Sequence, residues 1–264
     1  MNAPERSSFL HWRSPRRGTA NPERLTNPVW QWALATRAPA HSLNTFFDGP
    51  SSLTDGPCFS GDRWGSNQLV LPDGREVWIA GVHEDFYDPD FFIYNDVVVR
   101  DGDALEIYGY PSELFPPTDY ASATLVGDQI VLIGNLGYAE SRADVPPQVL
   151  LIDTNSWAIT PWECSGDDPG WICRHTARLS PTGRSIFVEG GSRFLSPDQA
   201  LQPNEDLFEL DLQARDWRIR NDLRQPQWSQ LRGASEWEEE HRQAPLTNAD
   251  RARQREWRRP QRSS

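Results

Sequence analysis

Two stretches concentrate side chains able to do chemistry. The first, GVHEDFYDPDFFIYNDVVVR (residues 81–100), sets His83 beside Glu84, Asp85, Asp88 and Asp90, with Tyr87 and four further aromatics interleaved. Carboxylate oxygens with one imidazole suit a hard cation such as calcium or magnesium. The spacing is not that of an EF-hand, because no glycine stands at the sixth position of an Asp-led loop and no closing Glu follows. Two other readings compete: a loop that contacts a ligand or partner, and plain scaffold in which Asp88-Pro89 starts a turn and the aromatics pack on a neighbour. The second stretch, CSGDDPGWICRH (164–175), brings Cys164, Cys173 and His175 together with Arg174. Thiolates and imidazole bind zinc, but Cys-x8-Cys-x-His is not a zinc-site spacing, and small buried cysteines are the ordinary alternative. No metal or cofactor is therefore assigned. Adjacent acids such as Glu84/Asp85 and Asp167/Asp168 arise by chance in an acidic chain and identify no general acid or base. Gly190-Gly191-Ser192 fails the G-x-S-x-G pattern, and Gly134-Asn135-Leu136-Gly137 lacks the βαβ setting of a dinucleotide loop. The sequence contains no enzyme motif, so no catalytic residue is named.

The elements that position these residues are short. The 264 residues include 22 prolines, 18 glycines and 12 tryptophans, a composition that favours strands and turns over long helices. Charge is uneven along the chain. Residues 1–37 hold six arginines against two glutamates, and 241–264 hold seven arginines against two acids, while 38–221 hold 29 acids against 11 arginines. An acidic body repels phosphate, which makes nucleic acid an unlikely ligand and suits a basic protein partner. The chain has no lysine, which removes Schiff-base and phosphate-loop chemistry that depends on it. The start, MNAPERSSFLHWRSPRRGTA, has no apolar core of a signal peptide, and apolar runs such as Ile130–Ile133 are too short to span a membrane. Three cysteines, Cys58, Cys164 and Cys173, fit a reducing compartment, so a cytoplasmic location is expected.

The chain repeats itself. LVLPDGREVWIAG (69–81), LVGDQIVLIGN (125–135) and LSPTGRSIFVEGG (179–191) each run from an apolar start through a turn signal to a row of β-formers and a glycine. The turns, Asp73-Gly74, Gly127-Asp128 and Thr182-Gly183, are of the kind that close hairpins. Downstream, VLLIDTNSWAI (149–159) and LFELDLQARDWRI (207–219) each predict a strand ending in Asp153 or Asp211, a turn, and Trp157 or Trp217 opening the next strand. The first copy keeps Asn95–Arg100, the turn at Asp101-Gly102, and Leu105–Tyr108. A period near fifty with four short strands predicts an all-β fold of β-propeller blades.

These residues resemble the kelch repeats of kelch-type and galactose-oxidase-like propellers. The resemblance spans residues 62–221 and lies in the glycine doublet (Gly190-Gly191 intact, Gly134-Asn135 and Ala80-Gly81 partial) and in Trp157 and Trp217. It implies at least three four-stranded blades and a protein-interaction role. The long loops 82–93, 136–148 and 192–206 would form the contact face.

Three blades do not close a ring. Residues 1–25 are predicted as a polar basic segment and 26–61 as a helix plus irregular chain packed on the propeller. NPVWQWALATRA has Asn27 to cap, Pro28 at the first helical position and Pro39 to stop it. Trp30, Ala33 and Leu34 share one face, suited to covering an exposed strand edge or sheet face. Residues 222–264 are predicted as a polar tail, helical around Glu236–Gln243 and loosely ordered beyond. A homodimer through blade edges stays open. The alternative to an interaction module is an enzyme or carbohydrate-binding protein with His83, Asp88, Arg174 and His175 lining one pocket.

Overall fold

The structure, a computed structural model, describes residues 2–85, 90–196 and 200–223. Residues 1–221 form one compact unit; of the second unit, 222–264, only Asp222 and Leu223 are described. The helix expected at Glu236–Gln243 and the tail around it lie outside the described residues.

The N-terminal region carries four helices, more than its polarity suggests: α1 (Arg6–Trp12), α2 (Pro28–Thr36), α3 (Ala40–Phe46) and the single turn α4 (Ser52–Asp55). Helix α2 starts as the sequence predicts, with the Asn27 side chain accepting from the amides of Val29 and Trp30 at 3.0 and 3.1 Å. It ends at Arg37 in the left-handed conformation, before Pro39 is reached. The apolar side chains of this region stack in pairs, Phe9 on Phe47 at 4.5 Å and Trp30 on Phe59 at 4.7 Å.

After the short β1 (Glu23–Arg24), strands β2 (Asn67–Val70) and β3 (Glu76–Ile79) form a hairpin, and a second hairpin, β4 (Val82–Asp85) with β5 (Asp90–Ile93), projects beyond them. Strands β6 (Asp96–Asp101) and β7 (Ala104–Gly109) complete the first antiparallel sheet, in the order β1-β7-β6-β3-β2. The second sheet is β8 (Ser122–Val126), β9 (Gln129–Ile133), β10 (Val149–Asp153) and β11 (Ile159–Pro161), joined in sequence order. Beyond them come the short β12 (Ser165–Gly166) and β13 (Trp171–Cys173). The third sheet is built on β14 (Thr176–Leu179), β15 (Ser185–Glu189), β18 (Phe208–Asp211) and β19 (Asp216–Ile219), with β12 added parallel to β19. Strands β16 (Ser192–Phe194) and β17 (Gln202–Pro203) pair with β13 in a separate three-stranded sheet. Each of the three main sheets thus contains the four-strand meander that the repeat predicts, and β8 contacts both β2 and β14.

Strand register makes the repeats superimposable. Ile79 pairs with Asn67, Ile133 with Ser122 and Glu189 with Thr176, so the doublet positions that follow are Ala80-Gly81, Gly134-Asn135 and Gly190-Gly191. The first residue of each doublet has positive φ (55°, 78° and 64°), a conformation that glycine adopts at least cost. The start of each meander is also shared. Gly65, Tyr120 and Arg174 all have φ of 51–60°, and the Tyr120 amide donates to the Gly65 carbonyl as the Arg174 amide donates to the Tyr120 carbonyl, both at 2.8 Å. The tryptophan equivalence fails. Asp153 pairs across its turn with Ala158 and Asp211 with Asp216, which aligns Trp157 with Arg215 and Ile159 with Trp217. Trp157 sits in the turn at φ 61°, whereas Trp217 lies within β19.

Layering follows from the apolar patterns. Val97 and Val99 of β6 face one core with Ile130 and Leu132 of β9, while Val98 faces the helices together with Ile107. Val131 and Ile133 face the other way, into a core with Ile186, Val188, Leu210 and Trp217 of the third sheet. The first two sheets are therefore covered on both faces, and their central strands read as unbroken apolar runs. The outer edges are covered too. Strand β1 flanks β7, β12 flanks β19, and on β11 the Asn21 amide bonds both the N–H and the C=O of Ile159 at 2.8 Å.

Candidate functional site

Part of the stretch from 81 to 100 is buried and fastens the β4–β5 hairpin to the fold. On the β4–β5 hairpin, His83 and Asp90 are 6% and 3% exposed. His83 Nδ1 lies 2.9 Å from the Tyr94 hydroxyl, and that hydroxyl accepts the Ser60 amide at 2.8 Å. His83 Nε2 lies 3.1 Å from Asp90 Oδ1, a close contact although its angle falls outside hydrogen-bond geometry. The other Asp90 oxygen accepts the Cys58 amide at 2.7 Å and the Ser52 hydroxyl at 3.0 Å. Burial pushes the Tyr94 phenol far above its ordinary range. Asp90 and Tyr94 tie the hairpin to residues 52–60, and His83 lies between them, touching both. Of the other residues named from sequence, Glu84 is exposed, Asp85 ends β4, and Tyr87 and Asp88 lie outside the described residues.

Next to this network Arg63 and Asp96 form a bidentate pair at 2.6 and 3.0 Å with side chains 6% and 9% exposed. The guanidinium also lies 3.4 Å from the Tyr94 ring centroid.

The second stretch divides in the same way. His175 Nε2 lies 2.8 Å from the Ser122 hydroxyl, while its Nδ1 has no partner among the described residues. Arg174 is exposed and stacks on Tyr120 at 4.8 Å, its backbone serving the inter-sheet joint described above. Because Arg174 is left-handed, Cys173 and His175 do not share the alternation of one strand. Cys173 donates to the Ser192 carbonyl at 3.7 Å and Cys164 to the Trp162 carbonyl at 3.5 Å; burial raises both thiols to about 11, so neither is a ready thiolate. Among the described residues no group of three His, Cys, Asp or Glu side chains is placed to hold a metal ion.

Burial holds the His175 imidazole down to about 4, from an ordinary value of 6.5. It is neutral in the folded protein, whereas the unfolded chain takes up a proton below about pH 6.5. Its contribution to stability is complete above that pH and is lost as pH falls towards 4, reaching roughly 2 kcal/mol at pH 5. Urea unfolding at pH 7 and pH 5 is expected to show a smaller loss for His175→Gln than for the wild type. Equal losses in the two proteins would count against a buried neutral histidine.

An open concavity among the described residues lies elsewhere. A cleft of about 610 Å³ runs along the second and third sheets where β10 begins and β11 ends. Three tryptophans, Trp162, Trp171 and Trp217, line it together with the prolines of the 136–148 loop and the carboxylates Glu113 and Glu163. The indole N–H groups of all three tryptophans are buried and find no acceptor among the described residues. Neither His83, Arg174 nor His175 lines this cleft or the smaller recess beside α2. Sequence reasoning missed the cleft because its wall is assembled from positions 113 to 217 with no motif spacing. The density of tryptophan and the Pro146-Pro147 pair were the available signals.

No protein-family model matches the chain, and no curated protein matches it. Solved structures do match. One of them, described as "Structure of YjhT", aligns over 63% of this chain and 53% of its own length at 12% identity, with a TM-score of 0.44. The chain thus spans about half the length of that structure. No helix among the described residues is long and apolar enough to cross a membrane.

Proposed function

We propose that this chain is a binding module built on an arc of three propeller-like blades of the kelch type, and that it receives a protein partner in the tryptophan-lined cleft. One contrast carries the reading. His83, His175, Cys58 and Cys173 are closed inside the scaffold, whereas the open cleft, which Cys164 reaches, is walled mostly by aromatic and apolar side chains in the size range of ligand pockets. The three four-strand meanders, with β8 touching both β2 and β14, support the blade arrangement. The excess of acids over residues 38–221 supports a basic partner. The covered outer edges leave little free ladder for edge-to-edge dimers, and a homodimer through them is not part of the proposal.

Affinity capture from a lysate of the source cell tests it, with wild type and the double variant Val145→Arg, Glu163→Arg. Both residues are exposed, so the substitutions leave the fold intact. A stoichiometric partner held by wild type and lost by the variant is expected. A partner held equally by both would move the contact face away from the cleft.

A further inference from the structure

We propose that the recess beside α2 binds one tetrahedral oxyanion of the phosphate or sulfate type, at a site separate from the tryptophan-lined cleft. Strand register builds its floor. Gln68 pairs with Trp78 and Trp78 with Val98, while Arg100, two residues after Val98 on β6, pairs with Leu105 of β7. Their side chains share the face of the first sheet that α2 covers. That cover is incomplete. Helix α2 ends at Arg37 and leaves a recess of about 50 Å³ between its own Leu34 and Arg37 and the sheet residues Trp78, Val98 and Arg100. Such a volume has room for about four water molecules, as many as a tetrahedral oxyanion has oxygens.

Charge indicates what fills it. Of the three arginines in the lining, Arg63 is neutralised by its buried pair with Asp96. Arg37 has no hydrogen-bond, ion-pair or ring partner among the described residues, and the Arg100 side chain meets only the Trp78 ring, at 5.1 Å. Glu76 stands opposite Arg100 across the β3–β6 pairing, yet no ion pair joins them. Asp62, which is exposed, is the one carboxylate of the lining. Two unpaired guanidiniums against one solvated acid leave a local surplus of positive charge. The acids of the wider body oppose an anion, but beyond about 8 Å their field is screened by salt. Guanidinium hydrogen bonds to an oxyanion act at contact and are among the strongest a side chain makes. The Gln68 amide and the Ser66 hydroxyl line the same recess and make no side-chain hydrogen bond among the described residues, so two neutral donors stand beside the charged ones. The carbonyls of Ala33 and Leu34, the negative end of α2, are taken up by the amides of Ala38 and Arg37 at 3.0 and 3.3 Å. An apolar floor, with Val98 1% exposed, strengthens polar contacts made above it.

Isothermal titration calorimetry of the full chain with sodium phosphate, at pH 7 and fixed ionic strength, tests the site. Saturable one-to-one binding is expected, weakened about tenfold or more by Arg37→Gln and likewise by Arg100→Gln. Arg37 is exposed and unpartnered, so its replacement leaves the melting temperature unchanged and reports on the ion alone. Asp62→Asn is expected to tighten binding several-fold, because it removes the acid that competes with the ion. The cleft variant Val145→Arg, Glu163→Arg is expected to keep the wild-type affinity. Sulfate and phosphoserine, titrated in the same way, divide the sources. Phosphoserine tighter than phosphate by tenfold or more assigns a phosphomonoester and phosphoserine no tighter assigns a free ion, and both uphold an oxyanion site. Binding that survives both arginine replacements overturns the inference, as does the absence of saturable binding up to about 10 mM for all three ligands.

Discussion

Replacing Asp96 by alanine is expected to cost the fold about 3–5 kcal/mol, a large share of the stability of any domain. The cost comes from what is left behind. Arg63 is 6% exposed at its side chain, with Nη1 bonded to Asp96 Oδ1 and Nη2 to Oδ2. Its remaining donors reach the carbonyls of Ser60 and Ala80 at 3.3 and 3.4 Å, contacts too long to compensate a lost carboxylate. The guanidinium carbon lies 3.4 Å from the Tyr94 ring centroid and 4.9 Å from that of Phe59, two rings that meet edge to face, so its packing against both opposes a swing out to water. Urea unfolding with an unchanged m-value measures the loss. The paired replacement Arg63→Met, Asp96→Leu is expected to cost less than the single change, because it leaves no buried charge. A loss below about 1 kcal/mol for Asp96→Ala would put the pair in the class of solvated surface bridges.

The meanders were legible because their turns are fixed locally. Gly74, Gly127 and Gly183 all take positive φ, as Asp-Gly, Gly-Asp and Thr-Gly turns demand, and the strands beside them fall within a residue or two of where the pattern sets them. Val97–Val99 and Ile130–Ile133 are continuous apolar runs and are buried on both faces, whereas Ile186–Val188 is an equally unbroken apolar run whose Phe187 is only half-buried, so the pattern alone does not mark how the third sheet is covered. Trp157 and Trp217 were misaligned because they stand four and six residues after their aspartates, and only strand pairing reveals the difference. For the cluster at 81–100 the sequence offered scaffold as one of three readings, but not the partners that bury His83 and Asp90. Its burial depends on Ser52, Cys58 and Ser60, which meet Asp90 and Tyr94 from 32 to 38 positions earlier in the chain. No local pattern encodes an encounter of that range. The cleft is the extreme case, since its three tryptophans come from the end of the second sheet, from β13 and from β19.

Deleting residues 2–38 is expected to turn the chain into an aggregating or oligomeric species. Helices α1 and α2 seal the face of the first sheet that turns away from the second. Phe9, Leu25, Val29, Trp30 and Ala33 are at most 3% exposed and pack with Val98, Ile107, Tyr94 and Phe59. The four larger side chains contribute about 1.5–3 kcal/mol each, roughly 6–12 kcal/mol together, comparable with the whole stability of a typical domain. The deletion also removes Asn21 from the edge of β11 and strips β1 from β7, so two strand edges open at once. Exposed apolar face and unpaired edges together favour association over a monomer with a bare sheet. Light scattering and thermal melting of the truncated and full chains decide it. A monodisperse truncated monomer with an unchanged melting temperature would mean that the sheets hold without their helical cover. An oligomer rescued to monomer by adding back a 1–40 peptide would identify the helices as the closure that three meanders do not supply for themselves.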